Sequence, residues 1–118
     1  MSTLEIANRL YELCKQGQFE TVHNELFGND VTSTEKNMQG QIETKTGIEA
    51  IKEKGKNFQN MLEEMHSSYT NPPVVYGNYI FMEMGLDATM KGMGRMNMKE
   101  MCLYEVKNEK IISEQFYY

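Results

Sequence analysis

The spacing of apolar residues changes once along this chain, near His66, and this change limits the folds that the sequence can adopt. Before His66 the apolar residues recur every three or four positions, which is typical of amphipathic helices. From His66 onward they tend to alternate with polar residues, which is the pattern of strands that bury one face. Helices followed by a run of antiparallel strands predict an α+β fold, in which a curved sheet carries the helices on one face.

Three helices are predicted in the first part of the chain. The first opens with a capping box at Ser2 and Glu5, and the third with a second capping box at Thr46 and Glu49. The third helix carries the most regular apolar stripe of the chain, formed by Ile48, Ile51, Gly55, Phe58, Leu62 and Met65. The segment between the second and third helices is polar and β-branched, and it predicts one or two short strands with a loop around Gly40.

Length, charge and cysteine use limit the class of protein. The chain has 118 residues, which fits one domain over residues 1–118. A net charge of −5 without a dense Lys/Arg cluster argues against nucleic-acid binding, and no apolar run approaches the roughly 20 residues of a membrane span. The N-terminal residues lack a secretion-signal pattern, and Cys14 and Cys102 lie far apart, so reduced thiols in a cytoplasmic protein are expected.

Methionine is concentrated in residues 82–101, which contain seven of the eleven in the chain. Five of the seven share one face of a predicted hairpin: Met82, Met84, Met90, Met96 and Met98. We expect its loop at residues 92–94, so that Met90 faces Met96 and Asp87 faces Lys99. Core packing, an adaptable Met-lined pocket within the core, and a Cu(I) site with thioether ligands are the three interpretations. The first two are compatible, and both are favoured because a copper site is usually accessible and recruits Cys or His.

Three segments resemble the SnoaL-like group of the nuclear-transport-factor-two-like superfamily, which includes ketosteroid isomerase, scytalone dehydratase and polyketide cyclases. They are LYELCKQGQFETVHNELFGNDVTST (10–34), TGIEAI (46–51) and LYEVKNEKIISEQFYY (103–118). The resemblance implies a cystatin-like α+β cone, in which three N-terminal helices pack in a strongly curved antiparallel sheet. It also implies an apolar pocket inside the cone and a homodimer formed through the outer sheet face. On that face we expect an apolar patch of Tyr79, Phe81, Met101 and Leu103.

Two acids are the leading candidates for chemistry, because strand alternation places each among apolar neighbours. Glu114 shares the parity of Ile112, Phe116 and Tyr118, and the resemblance turns that set into the cone. Glu100 has the inward parity of the methionine-rich face. Apolar surroundings disfavour a charged carboxyl and raise its pKa, which suits general acid–base catalysis near neutrality. The alternative for each is a structural acid or an exposed residue at the end of the sheet.

His66 and Glu35 are candidates for an assisting role. The position of the ketosteroid isomerase general base falls nearest Glu35, whereas the enzyme's helix tyrosine falls at Leu10 and its protonated acid at Cys102. Two of these three roles are therefore unmatched, and steroid isomerase activity is not implied. His66 follows the third helix, where a cation interacting with the end of that helix is the simpler interpretation.

These observations predict a protein that binds a small apolar or amphipathic molecule inside the cone. If it is an enzyme, the expected chemistry is cofactor-free acid–base catalysis of the isomerase, cyclase or dehydratase type. The residues expected to contact the ligand are Phe58, Leu62, Met84, Met98, Phe116 and Tyr118. A non-catalytic dimeric module that binds a protein partner is the alternative. No metal-binding, nucleotide-binding or nucleophile motif occurs in the sequence.

Overall fold

The two apolar periods produce helices and strands that cover nearly the whole chain. In a computed structural model that describes residues 1–118, the helices are α1 (Thr3–Lys15), α2 (Phe19–Leu26) and α3 (Ile48–Met61). The strands are β1 (Phe27–Lys36), β2 (Ile42–Thr46), β3 (Leu62–Thr70), β4 (Val74–Tyr76), β5 (Tyr79–Met90), β6 (Gly94–Lys107) and β7 (Lys110–Tyr117). None of the helices has the length and apolar character needed to cross a bilayer.

All seven strands form one curved, unclosed sheet in the order β2-β1-β7-β6-β5-β3, with the short β4 also paired to β5. The predicted α+β class is confirmed. One detail differs from the predicted antiparallel sheet, because β7 returns beside β1 in the parallel direction. A parallel pair needs a long connection between its strands, and α3 together with β2–β6 supplies it.

The start of α1 follows the sequence signal, and the start of α3 does not. The Ser2 hydroxyl accepts a hydrogen bond from the Glu5 amide at 3.1 Å, and the Glu5 carboxylate accepts one from the Ser2 amide at 2.9 Å. The capping box predicted at Thr46 is wrong, because Thr46 is the last residue of β2 and pairs with Thr32. Gly47 caps α3 instead, at a positive φ of 97°, without a side-chain hydrogen bond.

The third helix is shorter than its apolar stripe predicts. It ends at Met61, and Leu62 and Met65 lie on β3, where they pair with Met90 and Ala88 of β5. Pairing with a neighbouring strand therefore overrides the helical spacing at these two positions. Gly55 lies on the stripe as predicted, and a Cβ built there would lie 3.8 Å from the His23 ring of α2. His23 is half-buried by this packing.

The main core lies between α1, α2 and the inner face of the sheet. Its completely buried members include Ile6, Ala7 and Leu10 of α1, Leu26 of α2, and Ile80, Cys102 and Ile111 of the sheet. Residues near the start of β6 and the end of β7 are only half-buried, among them Met96, Met98 and Phe116. One end of the inner face is therefore densely packed, and the other end keeps access to solvent.

The methionine hairpin has the predicted faces in a different register. Met90 pairs with Gly94 and Ala88 with Met96, so the strands are shifted by two residues from the expected pairing. The loop is formed by residues 91–93, because Gly92 and Gly94 both take positive φ angles. A shift of two preserves which side chains face inward. It also places Asn97 opposite Asp87, so the expected pairing with Lys99 is wrong, and Arg95 makes two hydrogen bonds to Asp87 at 2.9 and 3.0 Å.

The last strand contains an irregularity that alternation alone misses. Ile111 pairs with Val106 and Ser113 with Glu105, so Ile112 has no partner and forms a β-bulge. Glu114 and Phe116 face inward as predicted, opposite Tyr104 and Cys102. The prediction that Ile112 shares their face is wrong. The core position at the start of β7 belongs to Ile111, which is completely buried.

Packing is the role we predict for the inward methionines. Met82 and Met90 are buried, whereas Met84, Met96 and Met98 are half-buried. Met82→Ala should lower the free energy of unfolding by about 2–5 kcal/mol, because it leaves a cavity in the core. Met82→Leu should cost less than about 1.5 kcal/mol, since volume is nearly conserved. Urea unfolding measures both, and Met38→Ala, at a site that is 80% exposed, is the control.

A stability of Met82→Ala within about 0.5 kcal/mol of the unsubstituted protein, the range of ordinary surface changes, would contradict the packing role. So would tight Cu(I) binding, measured against a competing chelator, that is lost when Met96 and Met98 are both changed to Leu.

Candidate functional site

The register of the sheet aligns inward-facing side chains in rows that cross from strand to strand. The first row contains Ser33, Glu114, Tyr104 and Ile80, and the second contains Phe116, Cys102 and Met82. In the third, Glu100 of β6 pairs with Met84 of β5. Two carboxyl groups therefore lie on the same inner face, on adjacent strands, with an apolar row between them.

Lys54 of α3 reaches the β1 side of this face. Its ammonium group donates a hydrogen bond to the Ser33 hydroxyl at 2.9 Å and forms an ion pair with Glu35 at 3.0 Å. It lies 3.9 Å from the carboxylate of Glu114 and 4.8 Å from the centre of the Phe116 ring. Because the Lys54 side chain is only 24% exposed, these contacts are poorly screened by solvent.

Glu114 is the most deeply buried acid of the chain, with 5% of its surface exposed. Burial raises the pKa of Glu114 to about 7, and Lys54 and the Ser33 hydroxyl oppose this rise. The predicted inward orientation of Glu114 therefore agrees with the structure. A carboxyl group with this pKa can donate or accept a proton near neutral pH.

Glu100 is half-buried and has different neighbours. Burial raises the pKa of Glu100 to about 7, and the negative charge of Glu35 adds to the rise. Its contact within the protein is with the Cys102 thiol, at 3.9 Å, and it forms no ion pair. Glu100 therefore combines a raised pKa with a position on the half-buried part of the inner face. This part is formed by Met84, Met98 and Phe116 and is called the inner wall.

The two proposed assisting residues lie on opposite faces of the sheet. Glu35 joins the candidate site through its ion pair with Lys54. His66 does not, because its Nε2 lies 2.8 Å from the Thr89 hydroxyl, on the outward parity of β5, and its Nδ1 lies 2.9 Å from Glu64. His66 lies at an irregularity in β3, where the register with β5 shifts between Met65 and Ser67.

The residues predicted to contact a ligand are only partly brought together. Met84, Met98 and Phe116 lie on the half-buried inner wall, and Leu62 is half-buried on β3. Phe58 is 37% exposed at the end of α3. Tyr118 is exposed and tied to β1, since its hydroxyl donates to the Lys36 carbonyl at 2.6 Å and its own carbonyl accepts from Lys36 Nζ at 2.9 Å.

Two polar depressions flank Lys54. The smaller, of about 40 Å³, is lined by Ser33, Glu35, Lys36, Asn37, Glu43, Lys45 and Lys54. The larger, of about 290 Å³, is lined by Lys45, Ala50, Glu53, Lys54 and Asn57. Both differ from the expected apolar cavity, because their linings are mainly polar. No group of three or more His, Cys, Asp or Glu side chains is arranged to hold a metal ion.

Sequence reasoning missed Lys54 and Ser33. Lys54 is three residues after Ile51 and four before Phe58, so it borders the apolar stripe of α3, where helical spacing brings such residues together. Ser33 is two residues after the buried Val31, so it shares the inward parity of β1. The sequence therefore contains a signal for each residue. A lysine at the border of an apolar stripe, or a serine in a polar strand, is however ordinarily solvated.

Comparisons with known proteins agree on the family. The profile of the SnoaL-like domain matches residues 1–118. A presumed SnoaL-like polyketide cyclase from Mesorhizobium loti, also described as a carbohydrate phosphatase, is 35% identical, with complete coverage of both chains and a TM-score of 0.91. No curated protein matches the sequence.

More distant structures share the fold. A cystatin-like fold protein from Xanthomonas campestris is 15% identical and has a TM-score of 0.80 over 99% of this chain and 90% of its own. A ketosteroid isomerase-like fold protein from Catenulispora acidiphila, in complex with trimethylamine, is 23% identical and has a TM-score of 0.73 over 99% and 87%. The profile match over the whole chain and the 35% identical structure confirm the predicted family, and the more distant likenesses show the same fold: the chain belongs to the SnoaL-like family.

Proposed function

We propose that this protein binds a small amphipathic molecule against the half-buried inner wall of the sheet and transfers protons to and from it without a cofactor. One observation carries the proposal: two carboxyl groups with a pKa raised to about 7, Glu114 and Glu100, share one inner face with an apolar row between them. Desolvated acids with a pKa near the working pH are what general acid–base catalysis requires.

The inner wall suits a ligand with an apolar body and a polar group. Met84, Met98 and Phe116 offer polarisable and aromatic surface that adapts to irregular shapes. The carboxyl groups and Lys54 offer hydrogen bonds and charge beside that surface. Proton removal next to a carbonyl group, followed by reprotonation, is the reaction class that we assign, and it includes isomerisation and cyclisation. The family relation to a presumed polyketide cyclase supports this class.

Hydrogen–deuterium exchange tests proton abstraction without knowledge of the substrate. A panel of enolisable ketones and β-dicarbonyl compounds is incubated with the protein in D₂O, and loss of the α-proton signal is followed by NMR. We expect accelerated exchange for at least one apolar member of the panel. Glu114→Gln should reduce the acceleration by about 100-fold or more, since general acid–base groups contribute about 10²–10⁴. Glu63→Gln, which changes an exposed carboxyl on β3, is the control and should leave it unchanged.

An acceleration that survives in both Glu114→Gln and Glu100→Gln would contradict the assignment of the two acids. No acceleration for any member of the panel would favour the non-catalytic alternative given below.

The stability of the protein should depend on pH through Glu114. Its folded pKa of about 7 lies above the unfolded value of 4.5, so the folded state favours the protonated form. The resulting penalty is absent below the unfolded pKa, grows as the pH rises, and is complete above the folded pKa. Glu114→Gln, which cannot ionise, should therefore gain up to about 3 kcal/mol relative to the unsubstituted protein between pH 4.5 and pH 8, since each pKa unit is worth about 1.4 kcal/mol.

Urea unfolding at a series of pH values measures this difference. Glu63→Gln should follow the unsubstituted protein over the same range. A difference between Glu114→Gln and the unsubstituted protein that does not change with pH would contradict the raised pKa.

A dimeric binding module is the second candidate, and the outer face of the sheet favours it. Tyr79, Phe81 and Met101 are each about 40% exposed there, with Leu103 half-buried beside them. Val74 of β4 pairs with Phe81 and extends this apolar patch. An exposed apolar surface of this kind is typical of protein interfaces. We propose that the patch joins two copies of the chain, and that in the non-catalytic case the dimer serves a protein partner in the cytoplasm.

Light scattering at tens of micromolar should give twice the chain mass of 13.7 kDa. Phe81→Glu should shift the mass to that of the single chain, because it would bury an unpaired charge in the interface. Met38→Glu introduces the same charge in the turn between β1 and β2 and should leave the dimer intact. A single-chain mass for the unsubstituted protein would contradict this proposal.

A further inference from the structure

Lys54 is a charged side chain held in a fixed position by two anchors. The Ser33 hydroxyl and the Glu35 carboxylate contact its ammonium group at 2.9 and 3.0 Å. One turn earlier, Ile51 is buried in the core and fixes the helix. The Phe116 ring, 4.8 Å away, lies below the ammonium group as a cation–π partner. These contacts leave Lys54 little freedom to move towards solvent.

The two candidate acids differ in their distance from this cation. Glu114 lies 3.9 Å from Lys54 Nζ, whereas Glu100 makes no ion pair with it. Glu114 is opposite Tyr104, and Glu100 is four residues away from Tyr104 along β6, which is about 13 Å of strand. The two acids are therefore not a pair that shares one proton, and a cation next to one of them affects the two unequally.

The Ser33 hydroxyl lies between Lys54 and Glu114 and lowers the pKa of Glu114. Ser33 and Glu114 are partners in the parallel β1/β7 pair. Because the Ser33 oxygen accepts a hydrogen bond from Lys54, its own proton is free to be donated to Glu114. This arrangement favours the ionised form of Glu114, whereas Glu100 has no ion pair with Lys54 and its one side-chain contact is with the Cys102 thiol at 3.9 Å.

We propose that Lys54, held by Ser33 and Glu35, is a positioning residue that makes Glu114 the base of the site and leaves Glu100 as the acid. This assignment rests on the proposed acid–base function and adds a division of labour to it. A proton would leave the substrate for the Glu114 carboxylate, and a proton from the Glu100 carboxyl would be delivered to a second atom of the substrate. The total charge is unchanged by the transfer, since Glu114 becomes neutral as Glu100 becomes ionised.

Several titratable and polar groups face Glu114 from the surrounding elements. They are Ser33 and Glu35 of β1, Lys54 of α3, Glu100, Cys102 and Tyr104 of β6, and Cys14 of α1. Burial is the largest cause of the raised pKa of Glu114, and Lys54 is the largest opposing cause. For Glu100, burial is again first, but the negative charge of Glu35 comes before Lys54. Removing Lys54 should therefore act mainly on Glu114.

Carbon-13 NMR of protein labelled at the glutamate carboxyl carbons tests the assignment without any substrate. Glu114→Gln and Glu100→Gln identify the two signals. In Lys54→Met, the pKa of Glu114 should rise by about one unit or more, and that of Glu100 by less than half as much. Lys54→Arg keeps the charge and should hold the pKa of Glu114 within about half a unit of its original value. Lys56→Met changes an exposed lysine of the same helix and should alter neither pKa.

The exchange assay supplies a second measurement. In Lys54→Met, the low-pH limb of the rate profile should move to higher pH by the same amount as the pKa of Glu114, and Lys54→Arg should restore it. Lys54→Gln replaces Lys54→Met if the latter does not fold.

Equal pKa changes for Glu114 and Glu100 in Lys54→Met, or no change in either, would overturn the role of Lys54. An unsubstituted protein in which Glu114 titrates at the ordinary value for glutamate would instead overturn the proposed function itself. The two failures are therefore distinguishable in one set of titrations.

Discussion

The β-bulge at Ile112 determines which side chains line the inner face of the sheet. Ile111 occupies the core at the start of β7, and Glu114 faces inward three residues later, which strict alternation does not allow. Without the extra residue, a strand that kept Ile111 inside would turn Ser113, Gln115 and Tyr117 inward. The bulge therefore gives the sheet both an apolar anchor and an inward acid on the same short strand.

Burial of the Glu114 carboxyl group makes its ionisation unfavourable, and the charged and polar neighbours of the candidate site act on this cost. A fully ionised carboxylate in this position is unfavourable, and its proton is retained to a higher pH as a result. Lys54 limits the rise, but Lys54 is itself shared with Glu35 and Ser33. Glu114 can therefore exist in both the protonated and the ionised form near neutral pH, and small changes in its surroundings can shift its pKa. The proposed acid–base role of Glu114 depends on this balance.

The parts of the structure that depend on local patterns could be predicted from the sequence. The capping box of α1 and the inward face of the methionine hairpin both follow from residue type and spacing. The inward orientation of Glu114 and Glu100 follows from alternation together with the family resemblance. These features depend on few residues close together in the chain.

The features that were missed depend on partners far away in the sequence. Leu62 continues the helical stripe perfectly, yet its pairing with Met90 of β5 places it on a strand. The extra residue in β7 can be recognised only from the pairing of β7 with β6. The role proposed for Lys54 depends on β1 and β7 being adjacent strands. The spacing predicts a strand that opens at His66, but β3 already begins at Leu62, so His66 does not lie at the end of α3, and the irregularity of β3 decides the face of its side chain. Spacing along one segment carries no information about such contacts.

Titration of the unsubstituted protein tests the central claim most directly. That claim is that burial keeps two inward carboxyl groups protonated to near neutral pH on the same face of the sheet. A carbon-13 NMR titration of the glutamate carboxyl groups should show Glu114 and Glu100 changing protonation near pH 7. Titration of either group at the ordinary glutamate value of 4.5 would contradict the account.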